Sequence, residues 1–336
     1  MLSFSLSFLL SEIKYTGVTK MRNQNRTDHK QLTQQDFVEQ AEKALRKAVG
    51  SDADVSVQKV CKNNGIILTG VSIFGQERNV SPTVYLESYY EQYLQGESME
   101  EILEEILSCY REHDPWLSFD TGFFVDYELA KEHIAYKLIS REKNEKLLEE
   151  IPYIPYLDLA ITFFCKIEHE ELGCGAIQVR NEHMWMWGVT REQLLEDAKR
   201  NMPTLYPELV CTMPELLKSV EKEQEVPQEM IEEVEKAKEI AMYVVTNAYK
   251  SYGAAVMLYE GIFDGLSERL KSSLAILPSS VHELIVLPVR SKEEAASLRD
   301  MVHEINTTRV EPEEVLTDSV YYYGQDVRTV TLLGKH

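Results

Sequence analysis

The chain has 336 residues, 44% of them hydrophobic and 27% charged, with only 15 glycines and 11 prolines, which excludes collagen-like, mucin-like and wholly disordered classes and leaves room for two or three domains. A formal net charge of −21 repels phosphate backbones and anionic lipid, so neither nucleic acid nor a membrane is expected as a partner. The 5 cysteines (Cys61, Cys109, Cys165, Cys174 and Cys211) are odd in number and form no CxxC, so the expectation is a cytoplasmic protein rather than a disulfide framework.

Residues 2–10 (LSFSLSFLL) have the apolarity of a signal-peptide core. No basic residue precedes them, no small-x-small site follows, and the run falls short of the ~20 residues that span a bilayer. Translation is therefore expected to begin at Met21, and residues 1–30 to be a disordered or spurious extension. Region 31–115 opens with a helix capped by Thr33, carrying Phe37, Val38, Ala41 and Leu45 and closed by Gly50. Strands 55–60 and 66–73 flank the turn Asn63-Asn64-Gly65, a strong hairpin signal. Ser98 and Glu101 form a capping box ahead of Met99, Ile102, Leu103, Ile106 and Leu107.

Region 116–220 repeats this grammar. An apolar strand over 157–167 turns through 168–175 into strand 176–180, and Thr190 with Gln193 caps a helix expected to end before Pro203. The acidic stretch 221–239 reads as a linker or solvated helix face. In region 221–336, residues 242–246 and 254–259 flank a turn at Gly253. A helix over 262–270, strands 274–277 and 283–287, a helix capped by Ser291 and Glu294, and a terminal hairpin over 320–333 follow. The fold class is α+β, with mainly antiparallel sheets built from hairpin-plus-helix units and helices covering one face.

Familiar nucleotide motifs are incomplete, and no cofactor is expected. Gly65 and Gly70 have phosphate-loop spacing, but Val71-Ser72 replaces the required Lys-Ser/Thr, and Gly173-Cys174-Gly175 lacks the third glycine of a dinucleotide fingerprint. Cys165, His169 and Cys174, with His183 nearby, offer zinc-compatible sulfur and imidazole without any recognised zinc spacing. A solvated His169 and a packed Cys165 are the competing reading. Imidazole beside carboxylate at Glu182-His183, His282-Glu283 and His303-Glu304 has the chemistry for acid–base work. His183 and His282 are the stronger pair because each sits at a polar junction of elements. Ser280 is a candidate nucleophile for His282, although no nucleophile elbow surrounds it. Trp185, Trp187, Tyr89, Tyr90 and Tyr93 are not interleaved with basic residues, which argues against base stacking.

Several strings resemble those of an uncharacterised bacterial family catalogued only as a domain of unknown function. They include Ser81-Pro82-Thr83-Val84-Tyr85-Leu86, Leu157-Asp158-Leu159-Ala160, Asn181-Glu182-His183 with Trp187-Gly188-Val189, Tyr252-Gly253-Ala254-Ala255, Leu277-Pro278-Ser279-Ser280-Val281-His282-Glu283, and Val310-Glu311-Pro312 with Asp318-Ser319-Val320-Tyr321. The resemblance runs in order from about Asp36 to about Tyr323 and implies that the three regions belong together; it implies no activity, ligand or catalytic residue.

The leading expectation is a non-enzymatic cytoplasmic binding or regulatory protein, whose partner is another protein or a second copy met through exposed strand edges. The enzyme alternative is a hydrolase, metal-assisted or not, in which His183 and His282 work beside Glu182, Glu283 or Asp158. A third reading takes the acidity as imitation of nucleic acid.

Overall fold

A computed structural model of the chain describes residues 31–75, 83–112, 122–169, 173–220 and 242–334. The expected N-terminal extension and the acidic stretch 221–239 lie outside the described residues. The chain divides into two compact units, with Phe123 ending one and Phe124 opening the other.

The first unit begins with α1 (Gln34–Val49), where Thr33 Oγ1 accepts the Asp36 N–H at 3.2 Å and Gly50 leaves the helix at φ 63. Strands β1 (Ala53–Cys61) and β2 (Ile67–Gly75) pair antiparallel across the predicted turn, in which Asn64 and Gly65 both take positive φ. This left-handed pair matches the twist of a tight hairpin, and it is why Asn-Gly is favoured there. Strand β3 (Thr83–Tyr85) adds to β2, followed by α2 (Leu86–Gln95) and α3 (Met99–Glu112). The capping box of α3 is formed: Glu101 N–H donates to Ser98 Oγ and Ser98 N–H to Glu101 Oε2. Phe37, Ala41 and Leu45 from α1, Ile102 and Ile106 from α3 and Val55, Val71 and Ile73 from the sheet close one core. Each fully buried Leu, Ile or Phe contributes about 1.5–3 kcal/mol to it. Gly70 has a packing reason rather than a phosphate-binding one, since a Cβ there would lie 2.7 Å from Thr83 Cγ2.

The second unit opens at Phe124, inside α4 (Gly122–Val125), and continues through α5 (Tyr127–Ala130). Its first sheet is built on β6 (Leu159–His169), with β4 (Ile134–Ser140) along one edge and β5 (Tyr153–Tyr156) then β7 (Gly173–Gln178) along the other, all antiparallel. The short helix α6 (Glu145–Glu150) connects β4 to β5. Helices α7 (Asn181–Trp187) and α8 (Arg191–Leu205) follow, with Thr190 and Gln193 forming the predicted capping box. Unlike the expectation, α8 continues through Pro203 to Leu205. The cost is confined to its last turn, and the Tyr259 hydroxyl lies 2.7 Å from the Tyr206 carbonyl and 3.1 Å from that of Met202, satisfying the helix end.

The second sheet has six strands in the order β13-β12-β10-β11-β9-β8. They are β8 (Glu208–Thr212), β9 (Tyr243–Asn247), β10 (Ser273–Leu277), β11 (Leu284–Val289), β12 (Tyr321–Tyr323) and β13 (Val330–Leu332). On one face Val244, Ala275, Leu277, Ile285 and Leu287 pack against α9 (Met213–Val220), α11 (Lys292–Ala296) and α12 (Arg299–Thr308). The alternate residues Leu274, Ile276, Tyr321 and Tyr323 belong to the other face, where α10 (Ile262–Leu270) packs. Residues 254–259, expected to flank a turn at Gly253, are themselves largely part of a buried 3-10 turn, Gly253–Leu258. Gly253 makes that possible: a Cβ would collide with Thr246 Oγ1 and the His282 carbonyl.

Candidate functional site

The sequence candidates lie in distinct settings. His183 sits in the first turn of α7, where Nδ1 accepts the Arg180 N–H at 3.1 Å as a cap. Its ring meets Phe124 edge-on at 4.8 Å and tilts against Trp187 at 5.9 Å. Desolvation lowers its pKa despite the neighbouring Glu182 carboxylate, so the ring is neutral at pH 7. Glu182 itself is exposed.

His282 precedes β11. Its Nδ1 accepts the Tyr252 N–H at 3.2 Å, which leaves the proton of the neutral ring on Nε2, 3.4 Å from Glu314 Oε1. Ser280, the candidate nucleophile, is fully buried and its Oγ accepts the His282 N–H at 3.0 Å. That hydroxyl closes a local turn. Glu283 is fully buried. Among the described residues, no hydrogen bond or ion pair joins His183 or Glu182 to His282, and none joins Asp158 to either histidine.

Asp158 belongs instead to a polar latch. It lies in the two-residue turn between β5 and β6, where Leu157 takes φ 55. Asp158 Oδ2 accepts from Thr317 Oγ1 and Ser319 Oγ, each at 2.8 Å, and Oδ1 accepts from the Tyr321 hydroxyl. Burial and the adjacent carboxylate push the Tyr321 pKa far up, fixing that hydroxyl as a donor. The carboxylate thus pins the first sheet of this unit to the segment entering β12.

Of the metal candidates, Cys165 is fully buried in β6, with Sγ 3.9 Å from the Ala130 carbonyl. Burial pushes its thiol up to about 12, which disfavours the thiolate a metal needs. His169 pairs in register with Gly173, and Cys174 with Glu168; the side chains of His169 and Cys174 lie outside the described residues.

A site that the sequence reading missed is a cleft of about 830 Å³ between α8, β8 and the start of α10. Its walls are Pro203, Val210, Leu258 and Leu266, and its rim carries Lys199, Arg200 and Arg269. Asn201 fixes one wall, donating from Nδ2 to the Lys131 and Ile134 carbonyls at 2.7 and 2.9 Å and so holding α8 on β4. Beneath α8, Tyr136 of β4 reaches the cleft although only 1% exposed, and its hydroxyl has no hydrogen-bond partner among the described residues. Burial, helped by the Tyr259 hydroxyl, raises its pKa strongly, so it remains a protonated donor at neutral pH.

On the opposite wall Gly265 lies in the interior of α10, and a Cβ there would meet nothing within 4 Å. Glycine in a helix costs about 1 kcal/mol relative to alanine, and neither its φ nor any neighbouring protein atom requires it here. Gly265 lines the cleft, and space is open at its Cα. A glycine inside the helical string Ile262-Phe263-Asp264-Gly265-Leu266 is the one sequence signal that could have pointed to this wall. Tyr136 could not be found that way, because a tyrosine in an apolar strand reads as core.

With this geometry in place, comparison with known proteins gives one match. Residues 34–325 match a family of unknown function (DUF5688), and the chain belongs to that family. No curated protein and no solved structure matches it. Among the described residues no helix is long and apolar enough to cross a membrane.

Proposed function

We propose that this is a non-enzymatic binding protein that holds a small ligand in the cleft between α8 and α10. The observation that carries the reading is the pairing, across one cleft, of a tyrosine whose hydroxyl has no hydrogen bond among the described residues, Tyr136, and a helix glycine beside open space, Gly265. The glycine costs the folded chain stability, and a bound ligand uses the space it leaves as contact surface while accepting a hydrogen bond from the tyrosine. The volume of about 830 Å³ suits a small metabolite rather than a peptide or a second protein. A cytoplasmic setting is part of the proposal, supported by Cys61, Cys165 and Cys211, which form no disulfide among the described residues.

The reading is tested by a thermal-shift screen of a metabolite set against wild type and Gly265→Leu, whose side chain occupies the cleft. At least one compound should raise the wild-type melting temperature and leave that of the variant unchanged. Equal shifts in both proteins, or none in wild type across the set, would contradict it.

A further inference from the structure

We infer that the ligand of this cleft presents a phosphate group to the N-terminus of α10. The inference rests on the binding reading above and adds its chemical class. Three cations, Lys199, Arg200 and Arg269, line the cleft against two carboxylates, Glu208 and Glu260, so the lining is net positive in a chain whose formal charge is −21. Arg200 is partly engaged by Asp197 at 2.7 Å and Arg269 lies over the Tyr243 ring at 5.0 Å, whereas Lys199 makes no ion pair among the described residues.

The start of α10 enters the same cleft. Its cap residue is Gly261, at φ 77, which offers no side chain to the first-turn N–H groups. Those groups and the helix dipole favour an anion there. Asp264, the one acid in that turn, is drawn away, accepting from the Tyr323 hydroxyl at 2.6 Å and pairing with Arg328 at 3.6 Å. Tyr136 is an independent pointer, a side chain only 1% exposed that lines the same space and whose hydroxyl has no hydrogen bond among the described residues. Backbone amides, a tyrosine hydroxyl and guanidinium groups form a donor set that suits the several acceptor oxygens of a phosphate. The apolar wall of Val210, Leu258 and Leu266 suits a non-polar body attached to it.

The test uses the full chain and three probes at matched ionic strength: phenyl phosphate, inorganic phosphate and phenol, with amide shifts of Ile262 and Gly265 followed by NMR. Phenyl phosphate should move both amides and bind at least about tenfold more tightly than phenol, a difference of about 1.4 kcal/mol. Inorganic phosphate should move the same amides more weakly. Tyr136→Phe should weaken phenyl phosphate binding severalfold while leaving the melting temperature of the ligand-free chain unchanged or higher, because its hydroxyl makes no hydrogen bond among the described residues; a structural role would lower that temperature instead. Lys199→Gln and Arg269→Gln should each weaken phenyl phosphate and leave phenol unaffected. Phenol binding as tightly as phenyl phosphate would overturn the phosphate inference while leaving the cleft a binding site. Shifts from none of the probes would overturn both.

Discussion

Replacing Asp158 by alanine removes one acceptor group and strands three hydroxyls at once. The Thr317 and Ser319 hydroxyls each lie 2.8 Å from Oδ2, and the Tyr321 hydroxyl donates to Oδ1 from a residue that is fully buried. Hydrogen bonds to a charged group are worth about 1.5–3 kcal/mol each, but the three share one carboxylate that is itself only partly buried, so they do not sum. The largest component is the Tyr321 hydroxyl, left without an acceptor in the interior at a cost of about 1–3 kcal/mol. Asp158→Ala is therefore expected to cost about 3 kcal/mol, Asp158→Asn about half of that, and Tyr321→Phe about 1.5 kcal/mol. Relaxation of the tight turn that carries Asp158 offsets part of the loss, since Leu157 at φ 55 holds about 1 kcal/mol of backbone strain that the latch sustains. Urea denaturation followed by tryptophan fluorescence measures this. A Trp116→Phe background leaves Trp185 and Trp187, both in α7, as reporters of the unit concerned. In the double variant, Tyr321→Phe should cost close to nothing once Asp158 is gone, giving a coupling of about 1–2 kcal/mol. Additive losses, or a loss below about 1 kcal/mol for Asp158→Ala, would refute the latch.

Three other outcomes follow from the same geometry. Gly265→Ala should raise the stability of the ligand-free chain by about 0.5–1 kcal/mol, as read by chemical denaturation, because the methyl enters empty space on a helix. Tyr259→Phe should cost about 1 kcal/mol and increase amide exchange at the end of α8, where its hydroxyl meets the Met202 and Tyr206 carbonyls. The Cys165 thiol, raised to about 12 in the folded chain, keeps its proton while the unfolded chain releases it from about pH 9. Its stabilising contribution is thus complete below pH 9 and is lost as pH rises toward 12, at about 1 kcal/mol per pH unit. Denaturation curves at pH 8 and pH 10.5 should accordingly show a smaller loss in Cys165→Ala than in wild type.

The elements legible in the sequence are those whose signals are local. Thr33 with Gly50, the Asn64-Gly65 turn, and the Ser98–Glu101 and Thr190–Gln193 boxes all close hydrogen bonds within a few residues, and all are formed. What stayed hidden depends on partners distant in the chain. Helix α2 has no side-chain cap at Tyr85, and its tyrosines make sense only against Phe37, with ring centroids of Tyr90 and Tyr93 at 5.4 and 5.5 Å. The continuation of α8 past Pro203 relies on a hydroxyl from Tyr259, and the 3-10 turn after Gly253 relies on a backbone approach by His282. Asp158 drew notice as a possible acid–base group, but its role in the fold appears only when Thr317, Ser319 and Tyr321 come together across 159 to 163 residues of sequence. The cleft is non-local in the same way, because Tyr136, Lys199 and Gly265 lie on three separate elements.

The most direct test of the binding account is native mass spectrometry of the purified full chain after incubation with the small-molecule extract of cells. Wild type should retain a low-mass adduct whose fragmentation releases phosphate, and Gly265→Leu, folded to the same melting temperature or higher, should not. A wild-type protein that emerges free of adduct, or a variant that carries the same one, would contradict the assignment of the cleft between α8 and α10 as the binding site.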